Sequence, residues 1–86
     1  MKEYRCIYDG GSFIDGIEFE TFKEAKESAE QILTEWASAL MSKDEHNMMV
    51  CNCMTWVEWF DDSEHEWVDI WYPTNEFCES IGFIEI

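Results

Sequence analysis

The sequence contains few positively charged residues. Five Lys and Arg stand against twenty Asp and Glu, which gives the 86-residue chain a formal net charge of −15 at pH 7. Proteins that bind DNA, RNA or anionic lipid through their surface need Lys and Arg to displace counterions. We therefore expect no direct contact with nucleic acid or membrane. A cationic protein partner is favoured instead, because a net charge of about 2–8 already suffices for the solubility of a small domain.

Long apolar runs are also missing. The longest uninterrupted one, Met48 to Cys51, is far shorter than the ~20 residues of a membrane-spanning helix. Met1 to Glu3 lead directly into a strand-like run, without the apolar region of a signal peptide. We expect an intracellular, cytoplasmic protein, and therefore reduced thiols at all four cysteines. These are Cys6, Cys51, Cys53 and Cys78.

The chain has no G-x-S-x-G, P-loop or Rossmann motif. We therefore predict that it is not an enzyme and that it needs no cofactor. Cys51 and Cys53 are spaced as C-x-C, which is not the C-x₂₋₄-C of structural zinc sites, so we predict no metal. We interpret them as buried core thiols, with a disulfide from Cys6 to Cys51 or Cys53 as the alternative. His46 and His65 lie in acidic loops and are expected to be solvated.

The segment from Thr21 to Met41 is the one long periodic stretch in the chain. Thr21 and Glu24 match the T-x-x-E capping box that begins many helices. Apolar residues then recur every three or four positions, which predicts a helix over about 21–42. The apolar stripe consists of Phe22, Ala25, Ala29, Ile32, Leu33, Trp36 and Leu40.

Strand-like patterns flank this helix. We predict strands over residues 3–8, 12–19, 48–60 and 66–72, with a bulge or turn at Asp15 and Gly16. A short helical turn is expected to end by Ser80, and a short final strand over 83–86. Residues 1–86 are thus predicted to form a single α+β domain. Its order is β-β-α-β-β, with the long helix packed on an antiparallel sheet as a two-layer sandwich.

The hairpin of 48–60 and 66–72 predicts an aromatic sheet face. A two-residue tip pairs Trp59 with Val68, Val57 with Ile70 and Glu58 with Asp69. One face then suits the core: Cys53, Thr55, Val57, Trp59, Val68 and Ile70. The other, the predicted Trp face, holds Met54, Trp56, Glu58, Phe60, Trp67, Asp69 and Trp71. It is expected to be covered by residues 74–86, to form a homodimer or to bind a partner.

Acidic residues make a second candidate binding surface. Carboxylates on a helix repeat about every 5 Å at spacings of three or four residues, which is comparable to a row of phosphates. The candidate row is Glu20, Glu24, Glu27, Glu30 and Glu35, and a second cluster is Asp61, Asp62, Glu64 and Glu66. In size and acidity the chain resembles the small inhibitors of phages and mobile elements that mimic DNA, the anti-CRISPR and anti-restriction proteins.

That resemblance implies a non-enzymatic inhibitor that binds the cationic nucleic-acid-binding groove of a nuclease or CRISPR effector. An immunity protein for a basic nuclease toxin is a close variant, because its carboxylates would also face a cationic site. The alternative from another class is a small acidic adaptor or homodimeric module, which binds its protein partner through Trp56, Glu58, Trp67, Asp69 and Trp71.

Overall fold

The computed structural model describes residues 2–9, 14–40 and 42–85. Three helices and a four-stranded antiparallel sheet make it an α+β protein. The elements are β1 (Tyr4–Asp9), β2 (Ile14–Phe19), α1 (Phe22–Ala39), α2 (Met48–Met54), β3 (Thr55–Asp61), β4 (Glu66–Trp71) and α3 (Asn75–Ser80). The strand order is β2-β1-β3-β4. Parts of three predicted elements lie outside the described residues: positions 12 and 13, Met41 and Ile86.

Helix α1 begins at the predicted capping box. The Glu24 amide donates to the Thr21 hydroxyl oxygen over 3.2 Å, and the hydroxyl donates to the Glu24 carboxylate over 2.8 Å. The helix ends at Ala39, earlier than predicted, because Leu40 already has an extended backbone. Its most buried residues are Ala25, Ala29, Leu33 and Ala37. Ala25, Ala29 and Leu33 belong to the predicted apolar stripe, whereas Ala37 was not part of it. The small side chains of Ala25 and Ala29 let the first half of the helix approach the sheet closely.

The predicted strand over 48–60 is wrong in its first half, where the chain forms α2. The Asn47 side chain accepts a hydrogen bond from the Met49 amide over 2.9 Å and so caps the start of this helix. Met48 and Cys51, three residues apart, turn one side of α2 into the core. Strand β3 begins only at Thr55, so the observed order is β-β-α-α-β-β-α.

The register of β3 and β4 is partly as predicted. Trp59 pairs with Val68 and Glu58 with Asp69, but Val57 pairs with Trp71 rather than with Ile70. Ile70 is therefore the extra residue of a β-bulge. Because of this extra residue, Trp71 lies on the face opposite to the predicted one. The turn spans residues 62–65 rather than two residues. His65 has φ 54°, a left-handed conformation in which His is enriched among non-glycine residues.

Strand β2, in contrast, has no interruption at Asp15 and Gly16. All six of its residues pair in sequence with β1, from Tyr4 opposite Phe19 to Asp9 opposite Ile14. A Cβ at position 16 would lie 2.8 Å from Ile7 Cδ1, so a larger residue there would require the end of the Ile7 side chain to shift. The signal that predicted a bulge therefore marks a close side-chain approach within a regular strand pair.

The core consists of two clusters. The first half of α1 packs on the sheet, where Ala25 and Ala29 contact Cys6 and Val57. The second half of α1 packs against α2, α3 and the C-terminal segment, around Leu33 and the almost fully buried Phe83. One end of the molecule is thus a helix-on-sheet sandwich, and the other is a small group of helices.

The C-terminal segment corrects two further predictions. Cys51 and Cys78 form a disulfide that joins α2 to α3, so two of the four thiols predicted to be reduced are oxidised, and the alternative pairing with Cys6 is also wrong. In place of the predicted final strand, the described residues form one parallel bridge, between Ile84 and Asn47.

None of the helices in the described part of the chain is long and apolar enough to cross a membrane.

His46 differs from its predicted solvated state. Its Nδ1 lies 2.9 Å from the Ser42 carbonyl oxygen, and its Nε2 lies 3.1 Å from the Ala37 carbonyl oxygen. A neutral ring donates to one of these acceptors at a time. The ring also lies 5.9 Å from that of Phe83, so His46 ties the loop after α1 to the helical cluster.

Candidate partner-binding surfaces

The acidic residues of α1 do not form one continuous row. Glu24, Glu27 and Glu35 lie on the same side of the helix and are exposed. Glu30 is rotated by about 60° from Glu27 and by about 120–140° from Glu24 and Glu35, and it is half-buried. The Glu35 carboxylate accepts a hydrogen bond from the side-chain amide of Gln31 over 3.1 Å. The predicted helical row is therefore broken at Glu30, and only its N-terminal part approaches other acidic residues.

The topology gathers many carboxylates at one end of the sheet. Tyr4, the first residue of β1, pairs with the last residue of β2, Phe19, and with Trp59 near the end of β3. The Phe60 amide also donates to the Glu3 carbonyl oxygen over 2.8 Å. The start of β1, the end of β2, the start of α1 and the β3–β4 turn consequently meet there. We call this surface the acidic end: Glu3, Glu18, Glu20, Glu24, Asp61, Asp62, Glu64 and Glu66.

The acidic end has little compensating charge. Its segments contain Lys2, Lys23 and Arg5; the Lys23 ammonium lies 3.9 Å from Glu27 in an exposed pair, and Arg5, opposite Glu18 in the sheet, bonds to Glu58 on the opposite side from α1. The Asp61 carboxylate accepts bonds from the Ser63 hydroxyl over 2.6 Å and from the Ser63 amide over 3.0 Å. These bonds, the hydroxyl first, lower the pKa of Asp61 below its usual value. Asp61 therefore keeps its negative charge to a lower pH than an ordinary aspartate would.

The sheet face opposite α1 is the second surface. Arg5 and Glu58 pair across β1 and β3 on this face, and the Arg5 Nε donates to Glu58 Oε1 over 2.6 Å. The Trp56 indole donates to the other carboxylate oxygen over 2.9 Å. The Arg5 guanidinium also lies 4.2 Å from the centroid of the Trp67 ring. Glu58 is thereby only 8% exposed with both oxygens bonded.

A second group on the same face surrounds Tyr72. Its ring stacks on that of Trp56 at a centroid distance of 5.9 Å, and its hydroxyl donates to Asp69 over 2.5 Å. The hydrogen bond to the Asp69 carboxylate is the main reason that the pKa of Tyr72 rises to about 12. Tyr72 itself is 46% exposed. We call this surface the open face: Arg5, Trp56, Glu58, Phe60, Trp67, Asp69 and Tyr72.

The open face contains most of the predicted Trp face, with two exceptions. Trp71 lies on the α1 side because of the bulge, where it packs near Val57, and the Lys26 ammonium lies 5.9 Å from its ring. Met54 belongs to α2 and packs on the helical cluster. Cys78 and Phe83 also pack on that cluster, so residues 74–85 do not cover the open face as one prediction supposed.

Other members of the predicted core face are also displaced. Thr55 and Val57 are fully buried as predicted, and the Thr55 hydroxyl donates to the Ile7 carbonyl oxygen over 2.5 Å. Cys53 is exposed on α2, and Val68 and Ile70 are exposed on β4. The reason is that α1 packs on β1, β2 and β3, which leaves the outer strand β4 largely uncovered.

Sequence reasoning missed Arg5 and Tyr72. The face was derived from the β3–β4 hairpin alone, whereas Arg5 joins it because β1 pairs with β3 in the middle of the sheet. The sequence offered one signal for Arg5. It is the single arginine of the chain, and it lies two positions from the apolar Ile7, so both side chains share one face of the predicted strand. Nothing in the sequence placed Tyr72, which follows β4 and folds back over Trp56.

Within residues 2–9, 14–40 and 42–85, no three His, Cys, Asp or Glu side chains come together as metal ligands. The free thiol of Cys6 is buried 3.4 Å from the Thr55 hydroxyl oxygen, and burial raises the pKa of this thiol.

Comparisons of the chain with protein-family models, curated proteins and solved structures found no match. The functional argument therefore depends on the acidic end and the open face.

Proposed function

We propose that this protein is a non-enzymatic inhibitor that binds the cationic nucleic-acid-binding groove of a nuclease effector. One observation carries the proposal. Carboxylates from β1, β2, α1 and the β3–β4 turn are gathered at the acidic end, and the cations in the same segments are two lysines and Arg5, which is bonded to Glu58. A basic nuclease groove is complementary to such a surface, and long-range attraction would accelerate its capture.

The dimensions of the acidic end support this function. Strands β2 and β4 occupy opposite edges of a four-stranded sheet, so they are separated by about 14 Å at a strand spacing of about 4.8 Å. Glu18 and Glu20 lie at one edge, and Glu64 and Glu66 at the other. This separation is similar to the about 12 Å width of the DNA major groove. The two groups of carboxylates would thus lie on opposite sides of the acidic end, at a separation of the same order as the width of a nucleic-acid groove.

A charge-reversal pair tests the proposal. Glu20→Lys with Asp62→Lys changes two exposed carboxylates of the acidic end, and Glu76→Lys with Glu79→Lys makes the same charge change on α3. We expect wild-type protein to inhibit cleavage by at least one purified enzyme in a panel of RNA-guided nucleases, restriction enzymes and basic toxin nucleases. The acidic-end variant should inhibit at least about tenfold more weakly, a loss of about 1.4 kcal/mol of binding energy.

The α3 variant should inhibit like wild type. An equal loss in both variants would mean that net charge, rather than the acidic end, governs binding. Inhibition of no enzyme in the panel would contradict the proposed function itself. Inhibition limited to a toxin nuclease would select the immunity-protein form of the same mechanism.

The second candidate is an adaptor or homodimeric module that uses the open face. The stacked pair of Trp56 and the exposed Tyr72 favours it, because such aromatic side chains are frequent at the centres of protein interfaces. An adaptor should lose partner binding on Tyr72→Ala and keep it on charge reversal at Glu20 and Asp62. The inhibitor should show the reverse.

A further inference from the structure

The chain itself shows how an arginine binds on the open face. The Arg5 side chain bonds to the Glu58 carboxylate over 2.6 Å, and its guanidinium lies 4.2 Å from the centroid of the Trp67 ring. Arginine suits such a position better than lysine, because its planar guanidinium pairs with a carboxylate and stacks on an aromatic ring at the same time. The open face therefore already contains one complete arginine site.

Asp69 is a second carboxylate of the open face in a similar aromatic setting. Trp67 lies two positions before it, and so on the same face of β4. The ring of Trp67 packs with that of Phe60 at a centroid distance of 5.3 Å, and the ring of Tyr72 stacks on Trp56 at 5.9 Å. Asp69 is exposed between these two aromatic pairs.

Asp69 lacks the cation that Glu58 has. Its Oδ2 accepts a hydrogen bond from the neutral Tyr72 hydroxyl, and none of the ion pairs within residues 2–9, 14–40 and 42–85 includes it. A hydroxyl donor stabilises a carboxylate without cancelling its charge. The negative charge of Asp69 therefore stands without a counter-charge beside an aromatic ring, that of Tyr72, which is 46% exposed.

This combination selects the chemistry of the occupant. A guanidinium group can neutralise the carboxylate and stack on the ring, whereas an ammonium group acts as a point charge. A second copy of the chain is not the source of that group, because Arg5 is its single arginine and is already bonded to Glu58. The occupant is consequently an arginine of a different protein.

We propose that Asp69 and the exposed ring of Tyr72 form a binding site on the open face for an arginine side chain of a partner protein. The guanidinium bonds to Asp69 and lies against the Tyr72 ring, in the same way that Arg5 bonds to Glu58 and lies against Trp67. The site lies outside the acidic end. It gives the partner chemistry of the second candidate function, and it does not depend on a nuclease being the target of the acidic end.

The test uses the full-length ¹⁵N-labelled protein at about 0.15 M salt, where charges are screened beyond about 8 Å. The probes are capped Gly-X-Gly peptides in which X is arginine, lysine or citrulline, the uncharged analogue of arginine. We expect the arginine peptide to shift the indole N–H resonances of Trp56 and Trp67 and the amide resonance of Tyr72. The lysine peptide should bind at least about threefold more weakly, and the citrulline peptide should cause no shift.

Matched variants locate the site. Asp69→Asn and Asp62→Asn remove the same charge from two exposed carboxylates, one in the proposed site and one in the acidic end. Asp69→Asn should weaken binding of the arginine peptide at least about fivefold, and Asp62→Asn should change it by less than about twofold. Tyr72→Phe keeps the ring and should bind the peptide as the wild type does. Tyr72→Ala removes the ring and should bind it more weakly.

Three results would overturn the inference. Equal binding of the lysine and arginine peptides, with shifts spread over residues 18–24 and 61–66, would mean attraction to net charge alone. Equal effects of Asp69→Asn and Asp62→Asn would show that Asp69 is no special contact. A shift of the Arg5 Nε–H resonance that signals its release from Glu58 would place the peptide in the Arg5 site instead.

The same experiments separate this site from the nuclease target. Arginine-selective binding that depends on Asp69, in a protein that inhibits no nuclease of the panel, would support the site and refute the proposed function. Nuclease inhibition that is lost on charge reversal at Glu20 and Asp62, with peptide binding indifferent to Asp69→Asn, would remove the site and leave the proposed function intact.

Discussion

Arg5 and Glu58 form a side-chain ion pair that bridges β1 and β3 on the open face. The pairing resolves an apparent conflict in the sheet, because Glu58 also lies opposite Asp69 of β4. Arg5 and Trp56 bond to the Glu58 carboxylate, and Tyr72 bonds to that of Asp69. Each negative charge therefore has its own donors, which reduces the cost of two carboxylates facing each other across a strand pair.

Removal of Arg5 should destabilise the fold. Arg5→Ala leaves a buried carboxylate without its charged partner and exposes the Trp67 ring, so we expect a loss of about 2–3 kcal/mol in the free energy of unfolding. Denaturant titration measures this loss. Lys23→Ala removes an exposed ion pair and serves as the control, with a change within about 0.5 kcal/mol. Similar small effects for both variants would show that the Arg5 pair contributes little.

Tyr72 should titrate at unusually high pH. Because its folded pKa is raised to about 12, its contribution to stability is complete below the unfolded value near 10 and is lost as the pH rises from about 10 to 12. Ultraviolet titration should show one tyrosine step near 12 that disappears in Tyr72→Phe. Asp69→Asn should move that step downward, because the hydrogen bond to the carboxylate is its main cause. A step that persists in Tyr72→Phe would contradict the assignment.

The disulfide between Cys51 and Cys78 should be a major source of stability. Its cysteines are separated by 27 residues, for which the chain-entropy relation gives about 3–4 kcal/mol. We expect reducing agent to lower the melting temperature of the wild type and to leave the Cys51→Ala, Cys78→Ala double variant unchanged. Thiol counting in denaturant should find two free thiols without reductant. Four free thiols would refute the bond.

Phe83 should be the critical residue of the helical cluster. It is 1% exposed and stacks on Trp36 at 5.8 Å, so Phe83→Ala should cost about 3–5 kcal/mol. The neighbouring Ile84 is 36% exposed, and Ile84→Ala should cost less than about 1 kcal/mol. Thermal or chemical unfolding of both variants makes the comparison. A small effect of Phe83→Ala would mean that the C-terminal segment is not packed on α1 and α2 as described.

Elements with a strong local signal were predictable from the sequence. The capping box at Thr21 and the apolar stripe define α1 to within a few residues, because both act within a single helix. The hairpin register was correct at Trp59 and Glu58, since alternation fixes the faces of a regular strand. These local rules do not specify how a bulge changes the register, which is why Trp71 was placed on the wrong face.

Helix α2 shows the limit of local reasoning. Its sequence MMVCNCM is apolar and could extend the following strand, and Asn47 as a helix cap was the one contrary signal. Packing against α1 and the disulfide to α3 decide the outcome, and both are long-range contacts. The acidic end was likewise only half predicted. The sequence named its two groups of carboxylates, but the order of the strands brings them together.

The most direct test of the central claim is a competition measurement. The apparent Kd of the protein for a nuclease that it inhibits is determined at increasing concentrations of duplex DNA. If the acidic end occupies the nucleic-acid groove, the apparent Kd should rise in proportion to the DNA concentration, and Glu20→Lys with Asp62→Lys should raise it further. An apparent Kd that is independent of DNA would contradict the account and would direct attention to the open face.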